Sequence, residues 1–102
     1  MNSTNRHAPD PDGAQAAQRL IEQELSDAPD AALSNALIRP RLVTVNFAGG
    51  ATLKCWQVAR SNGPYTVIYL PQAGYFSLCV ASIFGPVDIG VHGRATDCYD
   101  SV

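Results

Sequence analysis

The chain has 102 residues, a formal net charge of -2 and 16% charged residues, so its length fits a single domain with one hydrophobic core. This weakly acidic balance excludes a general attraction to nucleic acid or anionic lipid, since either usually requires a strongly basic face. We therefore expect no membrane association and no nucleic-acid partner. The bases concentrate in residues 39–60 and the acids in residues 1–38, which predicts an attraction between these two regions within the fold.

Residues 1–13 are polar and contain two Pro-linked breaks, which predicts a flexible tail before a single domain over residues 14–102. This segment lacks the apolar stretch behind basic residues that marks a signal peptide. The chain has three cysteines, an odd number, without a CxxC pair. We therefore expect unpaired thiols and a cytoplasmic location.

Two helices are predicted before the first strand. Residues 14–26 place apolar side chains three and four positions apart, as in an amphipathic helix. A second, short helix is expected to start at Asp27 as the N-cap and to stop before Pro40, because proline disfavours a helical residue in front of it. We expect the helices to pack on the rest of the domain through five apolar residues, Leu20, Ile21, Leu25, Leu33 and Leu37.

Residues 61–87 contain no Asp, Glu, Lys or Arg. This run is long enough to cross a bilayer, but prolines and glycines divide it into short pieces rich in β-branched and aromatic residues. We interpret these pieces as strands joined by turns. The Asn62-Gly63 pair is the strongest hairpin signal, because a type I′ turn requires positive φ at both of its central residues. This turn predicts that Val58 pairs with Val67 and that Trp56 pairs with Tyr69.

The alternating pattern predicts five antiparallel strands from residue 42 onward, with a three-residue loop at residues 48–50 and a last strand at residues 87–91 on the sheet edge. The predicted fold class is α+β, with two N-terminal helices packed on a five-stranded antiparallel β-meander that curves strongly if it encloses a core. In topology alone this arrangement is similar to cystatin-like and related cone-shaped folds, in which a helix lies in the concavity of the sheet.

Both faces of the predicted sheet are apolar. The bulky face consists of Trp56, Val58, Tyr65, Val67, Tyr69, Phe76, Leu78 and Val80. The small face consists of Val43, Val45, Phe47, Leu53, Cys55, Ala59, Thr66, Ile68, Leu70, Ser77, Cys79 and Ala81. A sheet of this kind needs two covers, and we expect the helices on the small face and a second copy on the bulky face, which predicts a homo-oligomer and most simply a dimer. The reverse arrangement stays open.

The residues that could carry chemistry lie near the end of the chain. On an extended strand Asp88 and His92 are about 13 Å apart, at ~3.3 Å per residue, so they act together only if the strand bends, which Gly90 permits. A turn at Gly93 would bring His92 to Cys98 as an imidazole and thiol pair. The close-spaced ligand pairs of a zinc site are absent, and we expect no metal and no cofactor.

These patterns favour a small non-catalytic binding or interaction module that self-associates through an apolar sheet face, rather than an enzyme. The alternative is a small-molecule-binding protein or enzyme with a pocket between the helices and the curved sheet. The candidate binding residues for either function are Trp56, Tyr65, Tyr69, Phe76, Asp88, His92 and Cys98.

Overall fold

A computed structural model of the chain describes residues 11–102. The elements in chain order are α1 (Pro11–Asp27), α2 (Ala31–Ala36), β1 (Leu37–Asn46), β2 (Thr52–Arg60), β3 (Tyr65–Leu70), β4 (Tyr75–Val80), β5 (Val87–Gly93) and α3 (Ala95–Asp100). The predicted α+β class, with two N-terminal helices and a five-stranded meander, is confirmed. The short helix α3 was not predicted. In the described range, no helix has both the length and the apolar character needed to cross a bilayer.

Helix α1 is longer than predicted at its start, because it begins at Pro11 and so overlaps the end of the predicted tail. The rest of that tail, residues 1–10, lies outside the described residues. The second helix is capped by Asp30, whose side chain accepts a hydrogen bond of 3.0 Å from the Leu33 amide. The prediction of Asp27 as this cap is wrong, because Asp27 is the last residue of α1 and accepts a hydrogen bond from Gln23.

Strand β1 begins directly after α2 at Leu37, earlier than predicted, and pairs with β2 across a short turn at Ala48–Gly50. The predicted register is confirmed, with Val45 opposite Leu53. The turn has the expected glycine geometry, since Gly49 has φ 83° and Gly50 has φ 86°. Positive φ at both positions lets the chain reverse without a side-chain clash.

The central strands pair largely as predicted. Tyr69 lies opposite Trp56 on β2 and opposite Phe76 on β4. The predicted pairing of Val58 with Val67 is wrong, because β2 contains a bulge and Ala59 lies opposite Val67 instead. An extra residue in one strand shifts the register beyond it by one position. The predicted type I′ turn is also wrong, because Gly63 has a positive φ of 56° but Asn62 does not have a positive φ.

The sheet closes into a ring in which β5 also reaches β1. The closing contact is a single parallel pair, Asn46 and Val87, supported by a 2.9 Å hydrogen bond from the Asn46 amide to the Pro86 carbonyl. The predicted edge position of β5 therefore holds only away from this contact. The small face forms the inside of the ring, where five of its side chains make a buried cluster, Val45, Cys55, Ile68, Leu70 and Cys79. The assignment of Ala59 to this face is wrong, because beyond the bulge in β2 it packs with the side chains of the bulky face.

The helices cover the bulky face, on the outside of the ring. Ala17 and Ile21 of α1, Leu33 of α2 and Cys98 of α3 pack in one buried cluster with the side chains of this face. The expectation that the helices cover the small face is wrong, and none of the helices in residues 11–102 occupies the concavity. A narrow ring leaves little room inside, so the smaller side chains fit there and the larger ones point outward.

The bulky face is therefore not free to bind a second copy, because the chain itself buries it. Two of the five expected helix contacts are also wrong, since Leu20 and Leu37 are exposed. Ile21 and Leu33 are buried as expected, and Leu25 is half-buried against the same cluster.

Candidate functional site

The seven predicted binding residues separate into two groups in the structure. Trp56, Tyr69, Phe76 and Cys98 are buried between the sheet and the helices, and Tyr65 is half-buried at the margin of the same cluster. Asp88 and His92 lie together on β5. The first group therefore forms core, while the second group retains access to solvent.

The buried aromatic residues pack with one another. The ring centroids of Tyr69 and Phe76 are 5.1 Å apart, with the ring planes tilted by 53°. Such tilted pairs are typical of hydrophobic cores. The Trp56 indole nitrogen is the one buried side-chain polar atom in the described chain without a hydrogen-bond partner.

Asp88 and His92 are in direct contact, because the strand bends between them, which is the condition expected from the sequence for the two residues to act together. The Nε2 atom of His92 is 3.2 Å from Oδ2 of Asp88. The cause is a bulge in β5 between these residues, where Gly90 has φ 85° and the register against β4 shifts. Gly90 adopts this left-handed conformation readily because it has no Cβ.

Two residues of β4 complete this contact, and we call the four side chains Tyr75, Ser77, Asp88 and His92 the Asp88 cluster. The Ser77 hydroxyl donates a hydrogen bond to Oδ1 of Asp88. The imidazole of His92 stacks on the Tyr75 ring at a centroid distance of 5.0 Å. Sequence reasoning missed both β4 residues, because it assigned no register between β4 and β5.

The Asp88 cluster contains the Ser, His and Asp residues of a serine hydrolase, but their hydrogen bonds connect them in a different order. The Ser77 hydroxyl donates its hydrogen bond to Asp88 rather than to His92, so the imidazole is not placed as its general base, and the Ser77 side chain is inaccessible to solvent. Three surface grooves of the described chain, with volumes of about 320, 370 and 430 Å³, are not lined by Asp88 or His92. No group of three His, Cys, Asp or Glu side chains that could hold a metal occurs in residues 11–102. The cluster fastens β5 to β4.

All three cysteines are unpaired and buried. Cys98 does not meet His92, because its thiol donates to the Val91 carbonyl at 3.4 Å within the outer core, whereas His92 lies opposite Ser77 on the other face. Burial, with a smaller effect of nearby carboxylates, raises the pKa of Cys98 to about 11. Burial likewise raises the pKa of Cys55 to about 11 and that of Cys79 to about 12, and the Asp88 charge adds to both shifts. A thiol with such a pKa is a poor nucleophile at neutral pH.

Among the described residues, the most exposed large apolar side chains lie in the turn between β4 and β5, residues 82–85, which we call the β4–β5 tip. Ile83 is 93% exposed and Phe84 is 79% exposed. The tip was predicted only as a turn, since a charge-free sequence does not tell which of its apolar residues face solvent.

The backbone of the tip is held by hydrogen bonds from two polar side chains. The Ser82 hydroxyl donates to the Gly85 carbonyl at 2.7 Å and accepts from the Phe84 amide at 3.1 Å. Asn46, at the end of β1, donates to the carbonyls of Phe84 and Pro86 at 3.1 and 3.2 Å. The exposed side chains are therefore presented by an ordered turn.

Two surface grooves bear on the predicted functions. One has a volume of about 430 Å³ and adjoins the tip, with walls that include Arg60, Pro64, Tyr65, Ala81 and Pro86. The other, of about 320 Å³, runs between α1 and the start of β1, with walls that include Ile21, Leu25, Leu37, Arg39 and Val58. Volumes in this range fit a side chain or a small ligand.

The described residues form two ion pairs, His92 with Asp88 and Arg94 with Asp97. Neither pair joins residues 39–60 to the helices, so the expected attraction between these regions produces no ion pair in the described chain. The basic side chains of β1 and β2 face solvent.

No family model, curated protein or solved structure matches the chain. The function has to be inferred from surface features of the chain itself. The β4–β5 tip is the most informative of these, because two adjacent large apolar side chains are both almost fully exposed on an ordered turn.

Proposed function

We propose that the protein is a small non-catalytic interaction module that self-associates, and that the β4–β5 tip carries the contact. The observation behind this proposal is the exposure of Ile83 and Phe84 on a turn fastened by Ser82 and Asn46. Burying each of these side chains fully would contribute about 1.5–3 kcal/mol to binding. Because the turn is already ordered, little conformational entropy is lost when it docks.

The partner in this proposal is a second copy of the chain. Cyclic dimers are the commonest homo-oligomers, since one self-complementary surface serves both subunits. Both apolar sheet faces are covered within one chain, so the contact moves from the predicted sheet face to the tip. The unpaired thiols support a cytoplasmic location for this dimer.

Sedimentation and light scattering across a dilution series test the proposal. The wild type should change from dimer to monomer on dilution, while the double variant Ile83→Gln with Phe84→Gln should stay monomeric at every concentration. Leu20→Gln is the matched control, because Leu20 is an exposed apolar residue on α1, and this variant should behave as the wild type. A wild type that is monomeric throughout, or a double variant that dimerises normally, would refute the proposal.

A second candidate is suggested by the groove between α1 and β1, which corresponds to the predicted pocket between helices and sheet. Most of its lining residues are apolar, which suits a short aliphatic ligand, and the groove is small and open along one side. NMR titration with hexanol tests this function. Saturable shifts confined to Ile21, Leu25 and Val58 would support it, and their absence would dismiss it.

A further inference from the structure

The groove beside the tip has a lining that can bind an apolar side chain. Its lining includes Thr66, whose hydroxyl donates to the Ala59 carbonyl at 2.8 Å and accepts from the Gln57 side-chain amide at 2.9 Å. The Thr66 hydroxyl is therefore already satisfied, and covering it with an apolar ring leaves no hydrogen bond of this group unmade. Pro64, Tyr65 and Pro86 supply apolar walls.

One unpaired cation lines the same groove. Arg60 forms no ion pair with any residue of the described range, and its side chain is exposed. A guanidinium beside an apolar groove favours an aromatic occupant, because it can lie over the face of the ring. Of the two tip side chains, Phe84 is the one that satisfies this preference.

We infer that the groove of one copy receives Phe84 of a second copy, in a reciprocal dimer with two identical contacts. This inference depends on the proposed self-association and identifies the surface that Phe84 contacts. Ser82 and Gly85 belong to both the tip and the groove wall, so the protrusion and the concavity lie side by side on one surface. A two-fold interface requires this arrangement, because each residue that contacts the partner must be contacted in return.

A complementation experiment tests the groove separately from the tip. Phe84→Gln removes the protrusion, and Ala81→Arg places a long side chain over the groove from an exposed wall position. For each variant alone, the dissociation constant of the dimer should be about tenfold or more higher than that of the wild type. An equimolar mixture should form a heterodimer, because the intact Phe84 of one variant fits the intact groove of the other.

Several outcomes decide the question. If Ala81→Arg dimerises as the wild type while Phe84→Gln does not, the tip docks elsewhere, so the assignment of the groove is wrong and the self-association stands. If the mixture forms no heterodimer, the assignment of the groove is likewise wrong. A monomeric wild type overturns both proposals, and a mass that keeps growing with concentration overturns the closed dimer.

A photocrosslink keeps the test valid if a variant fails to fold. p-Benzoylphenylalanine incorporated in place of Phe84 should crosslink to a second chain, and peptide mapping should place the crosslink in residues 57–66 or 81–86. A crosslink to the helices, or only within the same chain, would overturn the assignment of the groove.

Discussion

Glu24 of α1 accepts a hydrogen bond of 2.9 Å from the backbone amide of Ala95, which lies 71 residues later in the chain. Its other carboxylate oxygen accepts from the Thr96 amide at 3.0 Å. The first amides of a helix have no acceptor within the helix itself, and the N-cap residue of α3, Arg94, makes no side-chain capping bond to them. A side chain of the first helix therefore caps the last one and holds the two helices together.

The capping contact predicts a large loss of stability on removal of the carboxylate. Glu24→Ala should lower the free energy of unfolding by about 1.5–3 kcal/mol, because both bonds are to a charged group and are partly buried. Urea denaturation measures the change. Glu22→Ala, exposed on the same helix, is the matched control and should cost less than about 0.5 kcal/mol. Equal losses in the two variants would contradict the capping role.

The Asp88 cluster predicts strong coupling between Ser77 and Asp88. Asp88→Ala should cost about 1–3 kcal/mol, because it leaves the buried Ser77 hydroxyl without its acceptor. Adding Ser77→Ala should restore part of that loss, with a coupling energy of about 0.5–3 kcal/mol in a double-mutant cycle. His92→Ala should cost less than about 1 kcal/mol, since its pair with Asp88 is exposed on the His92 side. Additive losses for Ser77 and Asp88 would show that the hydroxyl has another partner.

The bend that joins Asp88 to His92 predicts a specific requirement for glycine at position 90. Gly90→Ala should lower stability by about 1–2 kcal/mol through its left-handed backbone alone, because a Cβ at this position would meet no atom within 4 Å. Gly90→Asn should cost less, since asparagine enters this conformation more easily. Thermal unfolding of the two variants compares them, and an unchanged midpoint for Gly90→Ala would argue against the bend.

The raised thiol pKa values predict slow alkylation and loss of stability at high pH. Each cysteine has a folded pKa above the ordinary value of 9.0, so folding favours the protonated thiol. This stabilising contribution is complete below about pH 9 and is lost as the pH rises toward about 11 to 12.

Two measurements check the thiol prediction. Iodoacetamide should label the native chain slowly at all three cysteines and the urea-denatured chain quickly. Urea unfolding should also show lower stability at pH 10.5 than at pH 8. Fast labelling of Cys98 in the native protein would contradict its burial in the outer core.

The amino-acid sequence alone determined the class of the fold and much of its register. The spacing of Ala17, Ile21 and Leu25 predicted α1, and strand alternation with the Asn62-Gly63 turn predicted the pairing of Trp56 with Tyr69. These features depend on contacts between residues close in the chain, whose geometry is set by the helix and strand periods. The bulge at Val58 was not predicted, because one extra residue in a strand that is apolar on both faces does not change the hydrophobic pattern visibly.

Only the tertiary structure decided which sheet face the helices cover and which residues of distant segments come into contact. Ring closure at Asn46 and Val87 put the small face inside, and this sent the helices to the bulky face. The left-handed Gly90 brought Asp88 to His92, and the ring left Phe84 in solvent. The physical reason is that curvature and burial depend on packing among all five strands together, whereas a local pattern records only that a side chain is apolar.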